Sequence, residues 1–125
     1  MSRGIGTYDF VEKLKGAMIT DARMQNGDLY LVGEKEGVKY EFRIEPEGDC
    51  CSSSWIESVN SMEDLIGSEI YDYEHVSGDT QHTEWGKIDY DFYKFRCSKG
   101  YVDIEMRNES NGYYSGWLNY FVSEL

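Results

Sequence analysis

The chain predicts an α+β fold: mainly antiparallel β-hairpins and a C-terminal meander, with a short helical segment around residues 53–66. Three observations carry this. Asn26-Gly27 and Glu36-Gly37 are tight-turn dipeptides set between alternating segments. The last third alternates apolar and polar residues over three successive stretches. Between Ser52 and Gly67 that alternation gives way to apolar residues spaced by three and four.

The first sixteen residues read as a lead-in. Thr7 or Asp9 caps a helical turn carrying Phe10, Val11 and Leu14, and Gly16 ends it. Ala17 to Met24 forms a strand, Asn26-Gly27 the turn and Asp28 to Gly33 the returning strand, because both central positions of a type I′ turn need positive φ. After Glu36-Gly37, Val38 to Ile44 sets Val38, Tyr40, Phe42 and Ile44 on one face and Lys39, Glu41 and Arg43 on the other. Pro46 is expected to stop this ladder by removing a donor, with Glu47-Gly48-Asp49 as a loop.

Trp55, Ile56, Val59, Met62, Leu65 and Ile66 predict one broken helix or two short ones. Ser61 and Asp64 resemble a capping box, and Gly67 stands where a left-handed cap would end the helix. Ser68 to Val76 returns to strand, and the polar Ser77 to Glu84 reads as a mobile loop. The meander follows as Trp85 to Cys97, Tyr101 to Glu109 and Tyr113 to Val122, with turns at Ser98-Lys99-Gly100 and Asn111-Gly112. Ile88, Tyr90 and Phe92 share one parity, and Tyr93, Phe95 and Cys97 the other. Either a β-bulge near Phe92-Tyr93 keeps both sets inward, or the strand is covered on both faces.

At 125 residues the chain is expected to be a single domain, residues 1–125. With 11 Tyr, 5 Phe and 3 Trp spread along it, it can bury enough ring surface to fold. Acidic residues outnumber basic ones 24 to 12, a formal charge of -12. That charge repels nucleic acid and anionic membranes, so no direct nucleic-acid or membrane partner is expected. Its plainest reading is solubility; the sharper one is a surface complementary to a basic protein. No stretch approaches the roughly 18 apolar residues of a membrane span, and no apolar signal-peptide core stands at the N-terminus, so a cytoplasmic location is expected.

Three cysteines, of which Cys50 and Cys51 are adjacent and Cys97 is distant, make a poor disulfide framework. The string Gly48-Asp49-Cys50-Cys51-Ser52-Ser53-Ser54-Trp55 would place a thiol near a helix start, where exposed amides stabilise the thiolate. The competing reading is one buried cysteine and one helix-entry residue. Cys50, Cys51, Cys97, His75 and His82 could supply zinc ligands in number, but their spacing lacks paired ligands two to four residues apart, so neither metal nor cofactor is expected. A cysteine nucleophile would need His75 or His82 as its base, and neither lies in a recognisable motif.

The remaining candidates are surface carboxylates. Placed on the outward parity, Glu41, Asp72, Glu74, Asp89, Asp91, Asp103 and Glu105 would form an acidic sheet face with same-side neighbours roughly 6.6 Å apart. That spacing is comparable to the phosphate repeat of a nucleic-acid strand. Asp49, Cys50, Cys51, Ser52 and Trp55 form the second candidate group, the motif loop.

The Gly48-Asp49-Cys50-Cys51-Ser52 string with its downstream aromatic, followed by Asp64-Leu65-Ile66-Gly67 and a returning strand, resembles a family of small uncharacterised bacteriophage and prophage proteins. The resemblance covers roughly residues 14 to 76 and brings no catalytic residue. It implies a non-enzymatic protein acting in the host cytoplasm by binding and modulating or inhibiting a host protein with a basic surface, such as a defence nuclease. The alternatives are a small cysteine- or metal-dependent enzyme centred on Cys50 and Cys51, or a virion-associated structural subunit; the oligomeric state is open.

Overall fold

The computed structural model describes residues 3–112 and 114–125, with the backbone only at Arg3. In chain order the elements are β1 (Arg3–Ile5), α1 (Thr7–Leu14), β2 (Met18–Gln25), β3 (Asp28–Lys35), β4 (Val38–Gly48), β5 (Ser53–Asn60), a 3-10 turn (Met62–Leu65), β6 (Ile70–Thr83), β7 (Gly86–Cys97), β8 (Gly100–Ser110) and β9 (Gly116–Glu124). With 68% strand and 10% helix, the fold is mainly β, which corrects the expected α+β class. All paired strands are antiparallel, in a five-stranded sheet of order β1-β9-β4-β3-β2 and a four-stranded sheet of order β5-β8-β7-β6.

The early hairpins form as their turn residues require. Asn26 and Gly27 hold φ of 52° and 83°, and Glu36 and Gly37 hold 53° and 80°, the left-handed pairs of type I′ turns. α1 buries Phe10 and Leu14, but Gly6 stands at its N-cap without a side-chain cap, so neither Thr7 nor Asp9 serves there.

Pro46 does not end the ladder. β4 continues to Gly48, pairing Pro46 with Leu118 of β9. From the closing pair Lys35–Val38, even-numbered residues of β4 direct their backbone groups at β3. β3 begins at Asp28, so the flank on which Pro46 lacks an N–H has no neighbour and nothing is lost.

The helix expected around residues 53–66 is β5 plus one 3-10 turn. Pairing to β8 shifts between Ile56 and Ser58, leaving Glu57 bulged, so Ile56 and Val59 both pack on the core. A bulge converts the strand period of two into a step of three, which is the helical spacing read from the sequence. Ser61 has φ 60° and makes no side-chain cap, and Gly67 at φ 80° turns the chain out of the 3-10 turn.

Ser77 to Glu84 is not a loop either. β6 runs to Thr83, paired with β7 as far as Thr83–Gly86, with its irregularity between Ser77 and Thr80. Glu74 to Trp85 is exposed throughout, so this part of the hairpin needs no apolar face and its sequence shows none. β7 pairs with β8 without a register shift, so no bulge lies at Phe92-Tyr93; Ile88, Tyr90 and Phe92 are half-buried on the opposite face instead. The expected C-terminal meander is also corrected. β6, β7 and β8 form one, but β9 leaves it and inserts between β1 and β4 of the other sheet. The proposed strand start at Tyr113 lies outside the described residues.

Both sheets contribute to one cluster of buried side chains. Phe10 of α1 links them, its ring 5.7 Å from Phe42, 6.0 Å from Tyr73 and 4.4 Å from Tyr120. No helix among the described residues is long and apolar enough to cross a membrane.

Candidate functional site

Because β7 and β8 pair in unbroken register, residues alternate strictly between the two faces of their sheet. Tyr93, Phe95 and Cys97 face the core with Val102, Ile104 and Met106. Asp89 and Asp91 share the parity of Tyr93, and Asn108 and Ser110 share that of Met106. The inner face is therefore apolar at one end and polar at the other. Across the polar end runs the row Thr80, Asp89, Asn108 and Ser54, one residue from each of the four strands.

Thr80 Oγ1 donates to Asp89 Oδ1 at 2.7 Å, and Lys87 Nζ lies 3.3 Å from Asp89 Oδ2. Asn108 Nδ2 donates to Ser54 Oγ at 2.9 Å. One row inward, His75 Nε2 and Asp91 Oδ1 are 2.7 Å apart, and the imidazole stacks on Tyr93 at 4.6 Å. Gly116, at the start of β9, covers the row closely; a Cβ there would run into Ser54 Oγ and the Asn108 amide. Between these strands and Ser115-Gly116 lies a hollow of about 260 Å³ containing Ser77, Thr80, Asp89, Asp91 and Asn108. A second hollow of about 240 Å³ adjoins His75 and Tyr93 and reaches Trp117.

The expected acidic face does not assemble as one surface. Asp72, Glu74, Asp103 and Glu105 lie on the outer face of the four-stranded sheet, interleaved with cations: Asp72 pairs across with Arg96, and Glu74 and Asp103 flank Lys94. Arg107 bridges Glu57 at 2.7 Å and Glu105 at 3.5 Å. Glu41 belongs to the other sheet, 3.6 Å from Arg23. Asp89 and Asp91, read as outward, face inward; their sharing a parity with Tyr93, Phe95 and Cys97 was the signal in the sequence, and Asn108 and Thr80 carried none.

The motif loop is a turn tied to the other sheet. Asp49 N donates to Ser115 O at 3.0 Å and Asp49 Oδ2 accepts from Ser115 N at 2.8 Å. Ser52 closes the turn on Asp49 O through its N–H and its hydroxyl, both at 3.1 Å. This leaves Cys50 and Cys51 exposed with sulfurs 3.2 Å apart, beside a hollow of about 520 Å³ that Trp85 also lines. The loop leads into β5, so no helix N-terminus stands over the thiols. The hydrogen bond shared with Cys51, more than any other influence, pushes the Cys50 thiol up from its ordinary value. Trp55 is half-buried on the outer face, in the row of Arg107 and Tyr90.

The thiols and imidazoles do not converge. Cys97 is buried against Asp64 O, 3.8 Å from its sulfur, while His82 lies on the exposed arm. Among the described residues no three His, Cys, Asp or Glu side chains are placed to hold a metal ion.

A family described as a domain of unknown function, DUF7448, matches residues 11–119. An uncharacterised protein of Acanthamoeba polyphaga mimivirus is 33% identical over 89 residues, covering 67% of this chain and 70% of its own length. No solved structure matches.

Proposed function

The chain belongs to the DUF7448 family, and from that premise we propose that it is a non-enzymatic binding protein of phage or other viral origin, docking on a host protein with a basic surface. The observation that carries this reading is the β6–β7 arm. Its first strand is exposed from Glu74 to Thr83, holds Glu74 and Asp79 there without a lysine or arginine, and forms an edge of its sheet, with Glu84 following in the turn. Trp85, 84% exposed, stands at the tip. Acidic residues on a projecting arm speed encounter with a cationic partner, and an exposed aromatic supplies anchoring area once contact is made. The mimivirus relative and the resemblance of the Gly48-to-Ser52 string to phage and prophage proteins support a viral setting. The partner proposed for that setting is a nucleic-acid-binding protein of the host cytoplasm, such as a defence nuclease.

Immobilised protein exposed to host lysate should retain a basic protein at low salt and release it as salt rises. Glu74→Lys with Asp79→Lys and Glu84→Lys should abolish retention. Retention of nothing above background, or equal retention by the charge-reversed variant, would refute the proposal.

A further inference from the structure

We infer that Cys50 and Cys51 form a reversible modification site that takes up a small cationic disulfide by thiol exchange and closes to a bond between the two neighbouring sulfurs. The inference goes beyond the docking of a basic protein and does not depend on what the arm binds.

The pair is presented on an anchored turn. Cys50 and Cys51 are the central residues of the turn that Ser52 N closes on Asp49 O at 3.1 Å. Asp49 is itself held to Ser115 through its N–H and its carboxylate. Both thiols are exposed there, with sulfurs 3.2 Å apart. A disulfide needs about 2.05 Å, so closure asks for a shift of roughly 1 Å between side chains already in contact. The peptide between them is trans, which holds their Cα atoms about 3.8 Å apart, short of the ~4.4–6.8 Å of ordinary disulfides. The closed ring is therefore strained, and a strained, exposed disulfide is readily reduced again.

The surroundings select the reagent. The hollow of about 520 Å³ beside the sulfurs, lined also by Ser53, Thr83, Trp85 and Glu109, falls within the ~300–1,000 Å³ of small-molecule sites. It has room for the half of the reagent carried by the mixed disulfide. Its charge is negative, because Glu109 lines it and the Asp49 carboxylate acts on Cys50. With a formal charge of -12 on the whole chain, a cationic disulfide is drawn in and an anionic one repelled.

The exchange takes two steps. The Cys51 thiolate attacks one sulfur of the reagent, the reagent's S–S bond breaks, a mixed disulfide forms, and one small thiolate leaves and takes up a proton. Cys50, whose thiol is held above its ordinary value by the hydrogen bond and charge of Cys51, ionises second. Its thiolate attacks the Cys51 sulfur and expels the other half of the reagent, which also takes up a proton. The two protein thiols lose two electrons and two protons, and one small disulfide is reduced to two thiols.

The test treats the folded protein at mildly alkaline pH with cystamine or with anionic dithiodipropionate, quenches in acid and weighs the intact chain by mass spectrometry. Each rate is divided by that of N-acetylcysteine amide, which removes the reagents' own reactivity. Cystamine should then be favoured severalfold at low salt, and less as salt rises. The wild-type protein should finish two hydrogens lighter with no adduct, and peptide mapping should place the bond between Cys50 and Cys51. Cys50→Ala and Cys51→Ala should each stop at one cysteamine adduct, and buried Cys97 should stay free throughout. Dithiothreitol should restore the original mass. A lasting adduct on the wild-type protein, a bond to Cys97 or between two chains, or equal normalised rates for the two reagents would overturn the inference.

Discussion

Tyr73 of β6 and Tyr120 of β9 meet hydroxyl to hydroxyl at 3.0 Å, joining the two sheets through a hydrogen bond inside the core. Their rings cross at 90° with centroids 5.9 Å apart, and both residues are almost fully buried. Removing one hydroxyl leaves the other without this partner, at a cost of about 1–3 kcal/mol. Tyr73→Phe and Tyr120→Phe should each destabilise by that order, while the double variant should cost clearly less than their sum. Urea unfolding of the four proteins checks this, and additive losses would show that the pair is not coupled.

The same burial sets an alkaline limit. Burial pushes the phenols of Tyr73, Tyr93 and Tyr120 above their ordinary value, with neighbouring Tyr120 adding to the effect at Tyr73 and Tyr93. A pKa raised in the folded state contributes stability that is complete below the unfolded value, about 10, and lost as pH rises through the folded one. Urea midpoints should therefore hold steady on this account up to about pH 9.5 and fall beyond it. Phenolate absorbance from these three rings should appear together with unfolding. Titration of every tyrosine near pH 10 in a still-folded protein would contradict the burial.

Gly116 is where the start of β9 closes over the polar row. Gly116→Ala would drive a methyl group into Ser54 and Asn108, and overpacking of this kind costs about 1–3 kcal/mol. The variant should melt at lower temperature and shift the Asn108 side-chain amide resonances. An unchanged amide spectrum would place β9 farther from β8 than described.

At the motif loop, the hydrogen bond with Cys51 is the first cause of the raised Cys50 thiol. Cys51→Ala removes it, so Cys50 should then be alkylated faster by iodoacetamide at mildly alkaline pH, because the thiolate is the reacting form. Cys97, buried, should react only after denaturation. A wild-type Cys50 modified rapidly near pH 6 would instead revive the reading of an activated nucleophile.

Much of the local structure was legible in the residues. Asn26-Gly27 and Glu36-Gly37 announced their hairpins because positive φ at two successive positions is a steric demand that few dipeptides meet. The alternation at Phe42 and Ile44, and at Val102, Ile104 and Met106, identified inward faces because a strand exposes its sides with period two whatever it pairs with. Where the reading failed, a non-local partner had intervened. The bulge at Glu57 imitated a helical step, and Ser77 to Thr83 looked unstructured because β7 supplies the backbone pairing that an exposed hairpin needs, without asking for apolar side chains.

The amino-acid order by itself determined the turns, the parity of the regular strands, the aromatic interior and the anionic charge, since each depends on a residue and its near neighbours. Only the tertiary structure decided that β9 crosses to the sheet of β4, that Thr80 and Asn108 join Asp89 in one row, and that Cys50 and Cys51 stand apart from both histidines. Strand partners and the layer covering a sheet are chosen by packing between distant segments, and that competition leaves no local trace at the residues it brings together.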